Sequence, residues 1–593
     1  MKKVKRIVTL VLASVMSIAL FAGCSANKKE SLKTEEADFV VVGGGAAGLM
    51  SALELGGNGK VVLLEKMPAL GGTTIRSKGY LWSVDSKINK EANVGLSGEE
   101  LTRFYKDMAG EENFNDELFK KMVEVSGSTI DELVELGIPF SKTNFAGGTP
   151  NYPELQTLTV EGEGPALINT FNKLLKERNV EIRMESSAEE LIVENGEVKG
   201  VVVQNGDEKY NLKSQKVILA TGGFTRNEDM MDQYNDEFIN NIPFSGIGST
   251  GDGILMAEKA GAQLIGDGVL GIWGMNEKYG YVGDIGSLVR QTAFYINKDG
   301  NRFVNEKRYY AEVHKELNKL EDKHAYGLLD SRDEKLVENL EKGVAEGLVV
   351  KADTIEELAD LLKVNKDNFV DTVNKYNEAY NSGNDAEFEL KNKQMTPMLK
   401  APFYAFDVKP TIIGTIKGVK VNTNAQVLDK DNNPIKNLYA TGEMIIGNFI
   451  NKAYPATGTV VATGIYSGKI AATHAKKNVE TKFTSEVSNN EADNDKAENV
   501  EADKTVYRDG VYEGQAKGMN DAVKVSVEVK EGKISKVEIL DSKDTAGISD
   551  VAVEKLPEMI VSKNSPEVDS ISGATSTSDA IKEAVREALK DAK

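Results

Sequence analysis

Val40-Val41-Val42-Gly43-Gly44-Gly45-Ala46-Ala47-Gly48 is the stretch on which the fold turns. The apolar run that begins at Asp38 and ends at Val42 reads as a strand buried in a parallel sheet. The glycines after it form a GxGxxG turn that leads into a helix. Gly43 serves the tight turn, Gly45 lets backbone approach a diphosphate, and Gly48 permits close packing of helix on strand. The first N–H groups of that helix then face the diphosphate. A second apolar run, residues 61–64, ends in Glu65, about 20 residues past Gly43, where a carboxylate meets a ribose hydroxyl. The class implied is α/β, with a Rossmann-type dinucleotide-binding domain.

Gly71-Gly72-Thr73-Thr74 follows closely, and with it the pattern is typical of FAD, bound without a covalent link, more than of NAD. Ala220-Thr221-Gly222-Gly223 and Ala440-Thr441-Gly442-Glu443 repeat the strand-then-glycine arrangement later in the chain. Thr221, Gly222 and Glu443 are therefore expected to line the same cofactor. Between them, Asn195-Gly196 and Asn205-Gly206 separate short β-rich runs and read as hairpin turns of a small antiparallel meander.

These stretches, with Ser249-Thr250-Gly251-Asp252-Gly253 and Asp299-Gly300-Asn301-Arg302-Phe303-Val304-Asn305-Glu306, resemble the fumarate reductase/urocanate reductase flavoprotein family. That family also includes the 3-ketosteroid dehydrogenases. The resemblance covers residues 38–478. It implies an FAD domain interrupted by an α+β capping domain, with the active site between the two. It also implies Asp252 among the cofactor residues and Glu443 against the ribityl chain.

The departures from the family pattern narrow the expectation. The arginine that delivers a proton in the fumarate reductases falls at Tyr310, and the carboxylate-clamping His and Arg fall near Gly414 and Ala453. The clamp for two carboxylates is thus missing. Tyr310 and the stretch Ala453-Tyr454-Pro455-Ala456-Thr457-Gly458-Thr459 instead resemble the ketosteroid dehydrogenase branch. That resemblance implies Tyr310 as proton donor and Tyr454 as a donor to a carbonyl oxygen, with Arg290 and Arg308 the alternative proton donors. A tyrosine of reference pKa about 10 is a suitable acid toward an enolate.

The rest of the chain frames this unit. Its 593 residues exceed one hydrophobic core, so several domains are expected. Residues 1–23 carry Lys2, Lys3, Lys5 and Arg6 ahead of an apolar stretch and read as a signal peptide. Phe21-Ala22-Gly23-Cys24 resembles a bacterial lipoprotein box, which implies a lipid on Cys24, the single cysteine of the chain, and a location on the outer face of the cell membrane. One cysteine excludes disulfides within the chain, iron–sulfur clusters and c-type haem attachment. No metal site is expected, and a net charge of −20 gives no cause to expect nucleic acid.

Residues 24–37 read as a tether. Residues 38–266 and 405–478 read as the FAD domain, and 267–404 as the capping domain. Residues 479–504, rich in Glu, Asp, Asn and Ser, read as a disordered linker. Residues 505–593 read as a small α+β domain, with a hairpin at Glu531-Gly532 and an amphipathic helix over 579–591.

Asp569-Ser570-Ile571-Ser572-Gly573-Ala574-Thr575 resembles the flavinylation motif of FMN-binding domains, in which a flavin transferase joins FMN to the final Thr through a phosphoester. Thr575 is that residue. The expectation for the whole is an extracytoplasmic ene-reductase. It takes electrons from a membrane donor, a quinol or a flavin-based chain, through FMN and FAD to an unsaturated carbonyl acceptor other than fumarate. The alternatives are a ketosteroid-type dehydrogenase running oxidatively and a flavin electron-carrier lipoprotein without substrate chemistry.

Overall fold

The structure is a computed structural model that describes residues 32–111, 114–149, 152–451, 454–480, 482, 507–517, 522–542, 550–568, 575–590 and 592. The signal peptide, Cys24, nearly all of the linker and Asp569–Ala574 of the flavinylation motif lie outside them. Among the described residues no helix is long and apolar enough to cross a membrane.

Five parallel strands form the centre of an eight-stranded sheet. Their spatial order is Glu181–Arg183, Val61–Leu64, Lys33–Val42, Glu208–Leu219 and Pro434–Ala440. Phe39 to Val42 and Val61 to Leu64 are all buried, as strands covered on both faces must be. The first strand begins at Lys33, not Asp38, and pairs from Lys33↔Tyr210 to Val42↔Leu219. The end of the stretch read as tether is therefore strand. Its Lys, Thr and Glu residues run past the sheet core into solvent, which concealed it.

The turn at the end of that strand behaves as its glycines require. A Cβ on Gly48 would lie 1.8 Å from the Gly43 carbonyl oxygen, so only glycine lets helix Ala46–Leu55 start this close to the strand. The same helix packs on Thr459–Ala475, which returns from the far end of the chain. The meander is present as Ser186–Glu194, Glu197–Asn205 and Glu208–Leu219. Asn195 and Gly196 both take positive φ, +53° and +77°, the pair that a tight hairpin twist demands. The third strand of the meander is also one of the five parallel strands, so the two features are continuous.

A second sheet is built on the long strand Phe403–Thr415. Ala325–Asp330, Val349–Ala352, Val269–Gly274 and Ile242–Pro243 all pair with it, and Phe294–Ile296 pairs with Ala325–Asp330. Alternation along a strand sends Tyr295 to one core, with Trp273 and Phe406, and Phe294 and Ile296 to another, with Phe369 and Tyr376. Phe403–Thr415 runs across the boundary drawn at residue 404, and Ile242–Pro243 joins this sheet from ahead of residue 267. The strand therefore leads directly from the second sheet to Thr415 beside the first.

The C-terminal unit has its own core. Val523, Val525, Val527 and Val529 point one way from Ala522–Lys530 and pack with Ala584, Val585, Ala588 and Leu589 of helix Thr575–Lys590. The hairpin turns at Glu531 and Gly532, both with positive φ.

Candidate active site

The glycine-bearing loops meet in one cradle. The Gly44 N–H donates to Glu65 Oε2 at 2.7 Å and the Met67 N–H to Oε1 at 2.8 Å, which fixes the carboxylate at the end of its strand. Burial pushes the Glu65 carboxyl above its ordinary range. The Ala46 N–H donates to Thr74 Oγ1 at 3.2 Å and the Gly71 N–H to the Gly44 carbonyl at 2.8 Å, folding the Gly71–Thr74 loop over the turn. Thr73 Oγ1 takes the Gly246 N–H at 3.0 Å, and Thr221 Oγ1 takes the Gly253 N–H at 3.2 Å. Asp252 pairs with Lys66 at 2.6 Å, closing the far side.

FAD fits this cradle on a steric observation. A Cβ at Gly45, Gly72 or Gly222 would meet its nearest neighbour at 3.9, 3.8 and 4.0 Å, with no closer crowding, so three stretches of bare backbone leave room for a ligand. Glu443 stands at one end of it. Its Oε1 accepts the Thr415 N–H at 2.7 Å, and a Cβ on Gly223 would come within 2.0 Å of that oxygen. A Cβ on Gly222 would lie 4.0 Å from its Oε2, so a ribityl hydroxyl has room there. Burial raises the Glu443 carboxyl to about 7. Gly414, where the family histidine was sought, packs on Glu443 Oε1, where a Cβ would lie at 2.7 Å. Ala453 lies outside the described residues.

A cavity of about 870 Å³, its open mouth included, adjoins the Thr73–Thr74 edge of the cradle. Both tyrosines and one arginine of the sequence reading line it: Tyr310, Tyr454 and Arg290. Tyr310 opens helix Tyr310–Lys319, and its Oη lies 2.7 Å from Thr457 Oγ1. Its ring is 5.8 Å from that of Trp273 and 6.1 Å from that of Tyr454. Burial holds the Tyr454 hydroxyl well above its ordinary pKa and pushes Tyr281 to about 12, so both stay protonated donors. Arg290 ends the short turn Ser287–Arg290. Its guanidinium lies 5.4 Å from the Tyr281 ring centroid, and its Nε is buried without a hydrogen-bond partner.

Arg308 is not in the cavity. It is exposed and pairs with Glu312 at 2.9 Å, one helical turn on. Arg308 lies in the turn before the helix that Tyr310 opens and points to solvent, outside the cavity. The Arg302-to-Glu306 stretch before it is scaffold. Arg302 is buried between Glu306 and Asp385, at 3.2 and 3.0 Å, and anchors the chain ahead of Tyr310.

Among the cavity residues not singled out in the sequence are Arg76, Phe244, Trp273 and Tyr281. Arg76 lies just past the Gly71–Thr74 loop, a position from which it was open to notice. Its guanidinium stacks on Phe244 at 4.0 Å and donates to the Ser245 and Glu277 carbonyls at 3.2 and 2.7 Å.

Residues 38–461 match the FAD binding domain family, and residues 518–590 the FMN-binding domain family. The chain is similar to NADH:fumarate oxidoreductase of Klebsiella pneumoniae, with 28% identity over 74% of this chain and 48% of that protein. It thus spans about half the length of that relative. It is also similar to urocanate reductase of Eggerthella lenta, with 30% identity over 69% of this chain and 70% of the other. Among solved structures it is similar to the open conformation of a flavocytochrome c3 fumarate reductase, with 27% identity and a TM-score of 0.65 over 75% of this chain and 78% of that one.

Proposed function

The chain belongs to the FAD-binding-domain flavoproteins that include the fumarate and urocanate reductases, and it carries an FMN-binding domain besides; on that premise we propose that it is an extracytoplasmic ene-reductase acting on an α,β-unsaturated carbonyl compound. Its electrons come from a membrane donor by way of its two flavins. The observation that carries the reading is the convergence of Tyr310, Tyr454 and Arg290 in one cavity at the edge of the FAD cradle.

FAD, when bound, supplies the hydride. The chain's own residues supply the rest. Tyr454, kept protonated by burial, donates to the acceptor's carbonyl oxygen and stabilises the charge that develops there. Tyr310 gives its proton to the carbon α to that carbonyl, with Thr457 holding the hydroxyl in line. The aromatic walls exclude water around the reacting carbons.

Fumarate is a poor candidate because the cavity's other cations are engaged. Lys78 pairs with Glu163 at 2.6 Å, and Arg76 is held by two backbone carbonyls. A second carboxylate would be buried without a partner, at a cost of several kcal/mol.

The leader and Cys24 support a lipid anchor on the outer face of the membrane, and the motif ending at Thr575 supports an FMN attached there by a flavin transferase. Adding enones, enoates and fumarate to the chemically reduced holoprotein tests the whole reading. Reoxidation by enones or enoates ahead of fumarate is the expected result. A reduced protein that none of them reoxidises is an electron carrier, not a reductase.

A further inference from the structure

The cavity holds a guanidinium that nothing in the reaction as described consumes. Among the described residues Arg290 has no carboxylate partner, its Nε is buried without a hydrogen bond, and its guanidinium stands 5.4 Å from the centroid of the Tyr281 ring. Arg290 is half-buried, and a cation held beside aromatic rings without an anion is an arrangement that an anionic ligand completes. Lys78 and Arg76 line the same cavity but already have partners. Arg290 is then the cation of the lining that no hydrogen bond or ion pair among the described residues ties down, and it fits one anionic group.

The opposite requirement comes from the walls. Phe244 and Tyr281 meet edge to face at 5.5 Å, and Trp273 stands behind Tyr310. Flat rings on several sides suit a flat apolar substituent, which gains both burial and edge-to-face contact.

We infer that the acceptor is an α,β-unsaturated monocarboxylate with a flat, apolar substituent on its β carbon, and that Arg290 binds the carboxylate while Phe244, Tyr281 and Trp273 receive the substituent. This rests on the ene-reductase reading. The acceptor R–CH=CH–CO₂⁻ becomes R–CH₂–CH₂–CO₂⁻. A hydride from a reduced-flavin donor reaches the β carbon, a proton reaches the α carbon, and the donor is oxidised by two electrons. The carboxylate stays on Arg290 throughout, so Arg290 contributes to binding and to holding the α carbon near Tyr310.

The test compares trans-cinnamate, its methyl ester, crotonate and fumarate as oxidants of the reduced, fully flavinylated protein. Cinnamate should exceed both its ester and crotonate in kcat/KM by on the order of 10-fold or more, since a site built for a charged partner rejects the analogue lacking it. R290M should lower kcat/KM for cinnamate on the order of 100-fold more than for the ester, mostly through KM. Hydrocinnamate, the saturated product, should perturb the oxidised flavin spectrum at lower concentration in the wild type than in R290M, a readout independent of turnover. An ester that matches or beats the acid, or an R290M defect equal for both, overturns the inference while leaving the ene-reductase reading intact. Failure of all four oxidants overturns that reading and the inference with it.

Discussion

The Tyr310 hydroxyl lies 2.7 Å from Thr457 Oγ1, a contact between segments 147 residues apart in the sequence. Tyr310 belongs to the second sheet's side of the cavity and Thr457 to the turn before helix Thr459–Ala475, which packs on the dinucleotide-binding helix. The bond therefore spans the two halves of the site. It fixes the direction in which the phenol presents its proton, and it forms only when the two halves are in register.

Tyr310→Phe removes one oxygen and keeps the ring against Trp273. FAD should still bind and be reduced, while turnover falls on the order of 10²-fold, as is typical when a general acid is lost. Thr457→Val should cost less, about 5-fold, the worth of one hydrogen bond that orients but does not react. Single-turnover reoxidation measures both. Normal turnover in Tyr310→Phe would move the proton donor to Arg290, since Arg308 faces solvent.

Glu443 gives a pH signature to the flavin-depleted protein. Its carboxyl is raised by burial from an ordinary 4.5 to about 7. Between those values the folded chain binds a proton that the unfolded chain has released. Stability from this group is thus full below about 4.5 and is lost as pH rises to about 7, on the order of 3 kcal/mol in all. Melting temperatures across pH 5 to 8 should fall for the wild type and change less for Glu443→Gln. Parallel curves for the two proteins would show that Glu443 is ionised at neutral pH.

The cofactor cradle was legible because its requirements are local. A tight turn, a bare backbone and a carboxylate at a strand end each demand a residue type within a short window, and Gly43, Gly48 and Glu65 meet those demands. The Asn195-Gly196 hairpin was legible for the same reason. The start of the first strand was not, since Lys33 to Glu36 are polar and owe their conformation to pairing with residues beyond 210. Arg76, Phe244, Trp273 and Tyr281 come to the cavity from separate segments, and no spacing announces such a meeting. Arg290 and Arg308 were equivalent in sequence. The fold separates them: Arg290 ends a short turn at the cavity wall, and Arg308 lies in an exposed turn paired with Glu312.

The N-terminal reading rests on sequence and has a direct test. Cys24→Ala should move the protein from the membrane fraction to the soluble one, because the proposed lipid anchor is lost and no helix among the described residues is long and apolar enough to cross a membrane. Protein that stays with membranes after a high-salt wash of the Cys24→Ala strain would rule out the lipid anchor as the attachment.

The proposed FMN attachment turns on one hydroxyl. Thr575 is the first residue of helix Thr575–Lys590, whose buried face, Ile581, Ala584, Val585 and Ala588, fixes it against the three-stranded sheet. A phosphoester at that position sits where the free N–H groups and dipole of a helix start favour negative charge. Thr575→Ala should therefore remove the flavin that stays with the polypeptide after denaturation, while the FAD released by denaturation remains near one per chain. Because the helix is held by Ile581, Ala584, Val585 and Ala588, the variant should fold, and its C-terminal unit should melt close to the wild type. Thr575→Ser keeps the nucleophile and should restore part of the attachment when a flavin transferase is co-expressed. Covalent flavin persisting in Thr575→Ala would place the link on another residue. Loss of both flavins at once would mean that the substitution had unfolded the chain, which the melting curve distinguishes.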